Sequence, residues 1–66
     1  MSDTQLSGLG MNASVSNVLK RRGLNTIGDL LPFSYANIRN TRNMSPGRLA
    51  ELKKKLDEFG VKLRED

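Results

Sequence analysis

The sequence predicts a small all-α domain of four or five short helices, and three observations lead to this fold class. Apolar residues recur three or four positions apart in separate segments, which is the period of a helix with one buried face. A residue suited to capping a helix stands at the start of each segment, and a glycine or proline follows most of them. With 36% hydrophobic and 27% charged residues, the protein has the composition of a globular domain.

Length and composition exclude several classes of function. A protein of 66 residues buries about 60% of its unfolded surface, enough for a thin core and no deep cleft. Cysteine and histidine are absent, which excludes disulfides and thiolate metal sites and removes the usual general base. No apolar run approaches the roughly 20 residues that span a bilayer, and residues 1–12 do not resemble a signal peptide. We expect a monomeric, cytoplasmic, non-enzymatic protein with no cofactor, metal or membrane association.

The first helix is expected to follow a flexible lead-in. Residues 1–8 are mostly polar and form this lead-in, so the folded domain is predicted over residues 9–66. Asn12 or Ser14 can cap the helix, and Gly23 ends it because glycine readily adopts positive φ. Its apolar stripe is Val15, Val18 and Leu19, and its last turn carries the cations Lys20, Arg21 and Arg22.

Two short helices are predicted next. The second begins at Thr26, which has capping-box spacing to Asp29, and it stops before Pro32. We expect its buried side to consist of Ile27, Leu30 and Leu31. Ser34 caps a third helix that extends to about Arg39.

The last helix has the clearest boundaries. Ser45 is a suitable N-cap, Pro46 fits the first helical position, and Gly60 ends the helix. The predicted apolar stripe is Leu49, Leu52, Leu56 and Phe59. Val61 and Leu63 follow, and we expect them to fold back on the core.

The connection between the third and last helices predicts a helix-hairpin-helix. A short helix, a tight turn over residues 40–44 and a helix with an exposed basic first turn follow one another. The first-turn N–H groups of a helix have no intrahelical partners, so they can bind a phosphate, and basic side chains nearby add attraction to a nucleic-acid backbone. The alternative is an ordinary capped helix turn without a ligand.

Several segments resemble the C-terminal domain of the bacterial RNA polymerase α subunit. They are Asn17–Lys20, Gly23–Leu30, Ile38–Asn40, Asn43-Met44, Leu49–Leu52 and Gly60–Arg64. The similarity runs without a gap from about Leu9 to Arg64. It implies a compact helical domain of the SAM-like type that binds the minor groove of A/T-rich DNA upstream of promoters and docks on activators and σ factor.

The resemblance also implies roles for individual residues. Asn17 matches the DNA-contacting asparagine of the first helix, Lys20 matches a lysine, and Glu51 matches an acidic residue near the groove. Ser14 stands where the family has its principal minor-groove arginine, which serine cannot replace. Residues 43–49 correspond to the family's hairpin motif Asn-Leu-Gly-x-Lys-Ser-Leu. Here Pro46 has no N–H to offer, Gly47 allows close approach of a ligand to the backbone, and Arg48 restores a cation one position after the family's lysine.

Two functional hypotheses follow. The first is a non-enzymatic DNA-binding module acting in transcription, with weak, backbone-dominated binding. Its predicted DNA-binding residues are Asn17, Lys20, Arg42, Gly47, Arg48 and Glu51. The second is a protein-interaction module that docks on RNA polymerase, σ factor or a transcription regulator and has lost promoter-type DNA binding. Ser14 and the altered hairpin motivate the second hypothesis.

Overall fold

The computed structural model describes residues 3–65, which form one 3₁₀ turn and four α-helices. The turn is Leu6–Gly8, and the helices are α1 (Ala13–Arg21), α2 (Ile27–Leu30), α3 (Tyr35–Arg39) and α4 (Pro46–Glu58). Within residues 3–65 there is no β-strand, and two isolated backbone bridges are the only strand-like pairing. No helix in this range is long and apolar enough to cross a bilayer. The all-α prediction is confirmed.

A side chain caps the start of every α-helix in this range. Asn12 Oδ1 accepts the N–H of Ser14 at 2.9 Å, and the hydroxyls of Thr26, Ser34 and Ser45 each accept an N–H three residues later at 3.1–3.2 Å. These are the predicted caps. Helices as short as α2 and α3 are unstable alone, so they depend on such caps, worth about 1 kcal/mol each, and on burial in the core.

Asp29 completes a capping box at α2. Its Oδ2 accepts the N–H groups of Asn25 at 2.9 Å and of Thr26 at 3.1 Å. These two backbone hydrogen bonds, of which the one from Asn25 has the larger effect, lower the pKa of Asp29 below its ordinary value of 3.8 because they favour the charged carboxylate.

The core is built around α4. Leu52 and Leu56 of this helix have no solvent exposure, and α4 packs against both α1 and α3. The other buried apolar side chains come from all parts of the described range: Leu6, Leu9, Val15, Val18, Leu19, Leu24, Ile27, Leu30, Tyr35, Ile38 and Leu63. The predicted return of the C-terminal segment is confirmed, since Leu63 is buried, Val61 packs against the core, and Tyr35 N–H donates to the Arg64 carbonyl at 2.6 Å.

Two apolar residues expected in the core are exposed instead. Leu31 is 52% exposed because α2 ends at Leu30, and this single turn buries one face only, through Ile27 and Leu30. Phe59 is 38% exposed because α4 ends at Glu58 and Phe59 is its C-cap residue, beyond the buried part of the stripe.

The segment expected as a flexible lead-in packs against the domain over its described residues. Leu6 is 1% exposed, and its N–H donates to the Asn25 carbonyl at 2.8 Å. Ile27 N–H donates to the Thr4 carbonyl at 3.0 Å, so residues 4–8 contact the loop before α2 through both backbone and side chain. Leu6 and Leu9 lie three residues apart, but two leucines separated by Ser7 and Gly8 are too short a pattern to predict a packed helix, which is why the sequence does not reveal this contact.

Replacing Leu6 with alanine tests whether residues 4–8 stabilise the domain. Leu6→Ala removes a fully buried side chain and should lower the free energy of unfolding by about 2–5 kcal/mol, a large part of the stability of a small domain. Urea denaturation followed by circular dichroism measures this. Ser7→Ala, an exposed position in the same 3₁₀ turn, is the matched control and should change little. Equal stabilities of the two variants would contradict the packing described.

The contribution of Asp29 to stability should depend on pH. Its pKa is lower in the folded state than in the unfolded one, so the stabilisation is complete above pH 3.8 and is lost as the pH falls through the folded value. Asp29→Asn should therefore lower the melting temperature at neutral pH and have a smaller effect in strong acid. Asp57→Asn, an exposed position near the end of α4, is the control. A destabilisation by Asp29→Asn that is independent of pH would contradict the capping role.

Candidate nucleic-acid interface

A shallow cleft separates α1 from the hairpin that joins α3 to α4. The residues lining this α1–hairpin cleft are Ser14, Asn17, Val18 and Arg21 of α1, with Asn43 and Arg48 of the hairpin and α4. Its volume is about 300 Å³. The cleft therefore brings together two of the sequence-predicted residues, Asn17 and Arg48, which are far apart in the sequence.

The hairpin is closed by its own backbone and by Arg48. Thr41 N–H donates to the Ile38 carbonyl and Met44 N–H to the Thr41 carbonyl, each at 3.0 Å. Asn43 has a φ of 68°, a left-handed conformation that asparagine tolerates better than most residues. Arg48 Nη1 donates to the Asn43 carbonyl at 2.8 Å, so this guanidinium is held beside the turn. The predicted helix-hairpin-helix order of short helix, tight turn and helix is observed.

The first turn of α4 leaves one N–H group available to a ligand. Pro46 has none, Arg48 N–H donates to Ser45 Oγ at 3.2 Å, and Leu49 N–H donates to the Ser45 carbonyl at 2.9 Å. Gly47 N–H has no partner among the described residues. A Cβ at Gly47 would meet nothing within 4 Å, so internal packing does not require glycine there. The exposed backbone at Gly47 can be approached closely.

Three other predicted residues, Lys20, Arg42 and Glu51, do not line the cleft. Lys20 is exposed and lies with Asn17 in a neighbouring depression of about 160 Å³. Arg42 lies in a larger depression beyond the hairpin. Glu51 does not line the cleft; its Oε2 accepts the N–H of Asn12, which ties α4 to the start of α1.

Positive charge is concentrated around the hairpin. The cations there are Lys20, Arg21, Arg22, Arg42 and Arg48, and no acidic side chain lines the cleft or the two depressions that adjoin it. Four acidic side chains lie elsewhere and have partners: Asp29 caps α2, Glu51 accepts the N–H of Asn12, and Glu58 and Glu65 pair with lysines at 3.5 Å. Among residues 3–65 no group of three histidine, cysteine, aspartate or glutamate side chains could hold a metal ion. This face therefore attracts anions.

Two arginines near the end of α1 were not among the predicted site residues. Arg21 lines the α1–hairpin cleft, and its position one turn after Asn17 is the signal that could have identified it. Arg22 is held by contacts within the protein. Its Nη1 donates to the Asn37 carbonyl at 3.2 Å and to Thr41 Oγ1, and the guanidinium lies 4.8 Å from the centre of the Phe33 ring. No periodicity in the sequence reveals these contacts, because they join the ends of α1 and α3.

Comparison with known proteins agrees with the fold and with the resemblance. Residues 2–58 match the family model that describes the C-terminal domain of the alpha chain of bacterial RNA polymerase. The protein is 40% identical over 60 residues to the DNA-directed RNA polymerase subunit alpha of Mycoplasma pneumoniae, an alignment that includes 91% of this sequence and 18% of that one. The corresponding subunit of Moorella thermoacetica is 36% identical over 62 residues, which is 94% of this sequence and 20% of that one. The protein spans about a fifth of the length of these relatives. It belongs to the family of C-terminal domains of the bacterial RNA polymerase α subunit.

Proposed function

We propose that this domain is a non-enzymatic DNA-binding module acting in transcription, and that it binds duplex DNA through the α1–hairpin cleft. The observation that carries the proposal is the geometry of the cleft: Asn17, Arg21 and Arg48 share one concave surface that no acidic side chain lines. Membership of the α-subunit family supports the transcriptional role.

The contacts available in the cleft favour the phosphate backbone. Arg48 supplies charge in the cleft and Lys20 adds charge from the adjoining depression. The Gly47 N–H can donate to a phosphate oxygen at the start of α4, where the helix dipole favours an anion. Asn17 has an exposed amide that can both donate and accept hydrogen bonds at base edges. Ser14, which is half-buried beside it, supplies no guanidinium for a narrow A/T groove. Binding of this kind is weak and only modestly selective for sequence.

A catalytic role has no support in the described residues. The carboxyl group of Asp29 accepts two backbone N–H groups at the start of α2. Its pKa is lowered rather than raised toward neutrality, opposite to what a general acid near neutral pH requires. Asp29 is therefore a structural residue.

The hairpin also favours a second candidate function, docking on RNA polymerase, σ factor or a regulator without DNA. Pro46 and the Ser45 cap leave one available amide in the first turn of α4, and Ser14 replaces the arginine of the family pattern. A pull-down from bacterial lysate separates the two. Recovery of polymerase subunits after nuclease treatment supports docking, whereas recovery only with DNA present supports DNA binding.

Salt dependence tests the proposed DNA binding. Contacts to three or four phosphates give a slope near −3 in a plot of log binding constant against log salt concentration. Affinity for a short A/T-rich duplex should therefore fall about 60-fold between 50 and 200 mM salt. Arg48→Ala and Lys20→Ala should each flatten the slope by about one, reducing the fall to about 16-fold. Lys62→Ala is the control, because it removes the same charge from an exposed position that lines neither the cleft nor the depressions beside it. Equal slopes for Lys62→Ala and Arg48→Ala would contradict a localised interface.

Gly47→Ala separates the fold from DNA binding. The added Cβ meets open space within the protein, and alanine is less costly than glycine in a helix, so thermal stability should be unchanged or rise by up to about 1 kcal/mol. Affinity for the duplex should fall, because the methyl group holds the phosphate away from the backbone. The salt slope should stay at its wild-type value, since no cation is removed. Unchanged affinity would exclude close backbone approach at this position.

A further inference from the structure

A concavity larger than the α1–hairpin cleft lies beyond the hairpin. This hairpin depression has a volume of about 690 Å³ and lies between the end of α1 and the end of α3. Its lining residues include Arg21, Arg22, Asn40, Arg42 and Asn43. The depression and the cleft share Val18, Arg21 and Asn43, so they are two parts of one continuous surface.

The chemistry of the hairpin depression suits phosphate. Three arginines, three asparagines and one threonine line it, and no acidic side chain does. Arg21 and Arg42 are exposed and have no hydrogen-bond or ion-pair partner among residues 3–65, so their guanidinium donors are available. Guanidinium groups bind phosphate oxygens through paired N–H donors.

Part of the floor of the depression is fixed by internal contacts. Arg22 is held by the Asn37 carbonyl, by Thr41 Oγ1 and by the ring of Phe33. The carbonyls of Ala36 and Ile38 accept the N–H groups of Asn40 and Thr41 at 3.2 and 3.0 Å. Because the carbonyls of Ala36, Asn37 and Ile38 accept internal donors, the negative end of α3 is partly neutralised.

We infer that the phosphodiester backbone continues from the α1–hairpin cleft into the hairpin depression, where Arg21 and Arg42 bind a second stretch of phosphates. This inference rests on the proposed function. From Ser14 to Arg21, α1 extends about 10 Å, which equals roughly three phosphate spacings of one strand measured along the duplex axis, at about 3.4 Å each. The largest dimension of the described domain, 25 Å, corresponds to about seven such spacings. The domain is large enough for both stretches to bind one duplex.

Salt dependence of duplex binding tests the second stretch. Arg42 lies outside the cleft, so Arg42→Ala should flatten the log–log slope by about one. Arg21 lines both concavities, so Arg21→Ala should flatten the slope even if the strand ends in the cleft, and Arg42→Ala is the deciding variant. Lys62→Ala, which removes one charge outside both concavities, should leave the slope near its wild-type value. Circular dichroism melting should show intact folds, since neither arginine has a partner among residues 3–65.

The outcomes distinguish this inference from the proposed function. If Arg48→Ala and Lys20→Ala flatten the slope while Arg42→Ala does not, the inference is overturned and DNA binding through the cleft stands. If the wild-type protein shows no salt-dependent binding, the proposed function itself fails. Inorganic phosphate stabilises proteins generally because it is excluded from their surfaces, so, compared with chloride at equal ionic strength, it should raise the melting temperatures of the wild-type protein and of Arg42→Ala alike. A larger rise in the wild-type protein, together with a duplex slope that Arg42→Ala leaves unchanged, would overturn the inference in favour of a free-anion site.

Discussion

Burial of Leu52 and Leu56 of α4 is the interaction on which the rest of the structure depends. Both side chains are fully buried, and α4 packs against α1 and α3 at once. Helices α2 and α3 are a turn or slightly more, too short to be stable alone, so they persist only as long as α4 completes the core. The hairpin exists because α4 must begin close to the end of α3, and the cleft exists because the same helix holds α1 beside it.

Polar contacts then fix the two ends of α1. At its start, Glu51 of α4 accepts the N–H of Asn12, and at its end Arg22 binds the Asn37 carbonyl and Thr41 beside the hairpin. With Asp29 in its capping box, several charged side chains have hydrogen-bond partners within the fold. The surface around the hairpin is left with arginines and asparagines, so a modest net charge of +4 becomes a local basic face.

The sequence predicts the helices well because their boundaries are set locally. The caps at Asn12, Thr26, Ser34 and Ser45 depend on residues a few positions apart, and so does the stop at Gly60. Features set by tertiary contact could not be predicted in this way.

Burial of Leu6 depends on the loop before α2, and the hydrogen bond that Glu51 accepts depends on the start of α1 lying beside α4. The hairpin depression forms only where the ends of α1 and α3 meet. Of the predicted site residues, Asn17 and Arg48 share the cleft, whereas Arg42 lies in the depression and Glu51 lies apart.

The central claim is that one basic face, formed by α1 and the hairpin, binds duplex DNA. Amide chemical shifts of the ¹⁵N-labelled protein, recorded during titration with an A/T-rich duplex at low salt, test it most directly. The account predicts that shifts are concentrated at residues 14–21 and 40–48 and that residues 57–63 change little. Absence of change in the first two ranges, or equal change in all three, would contradict it.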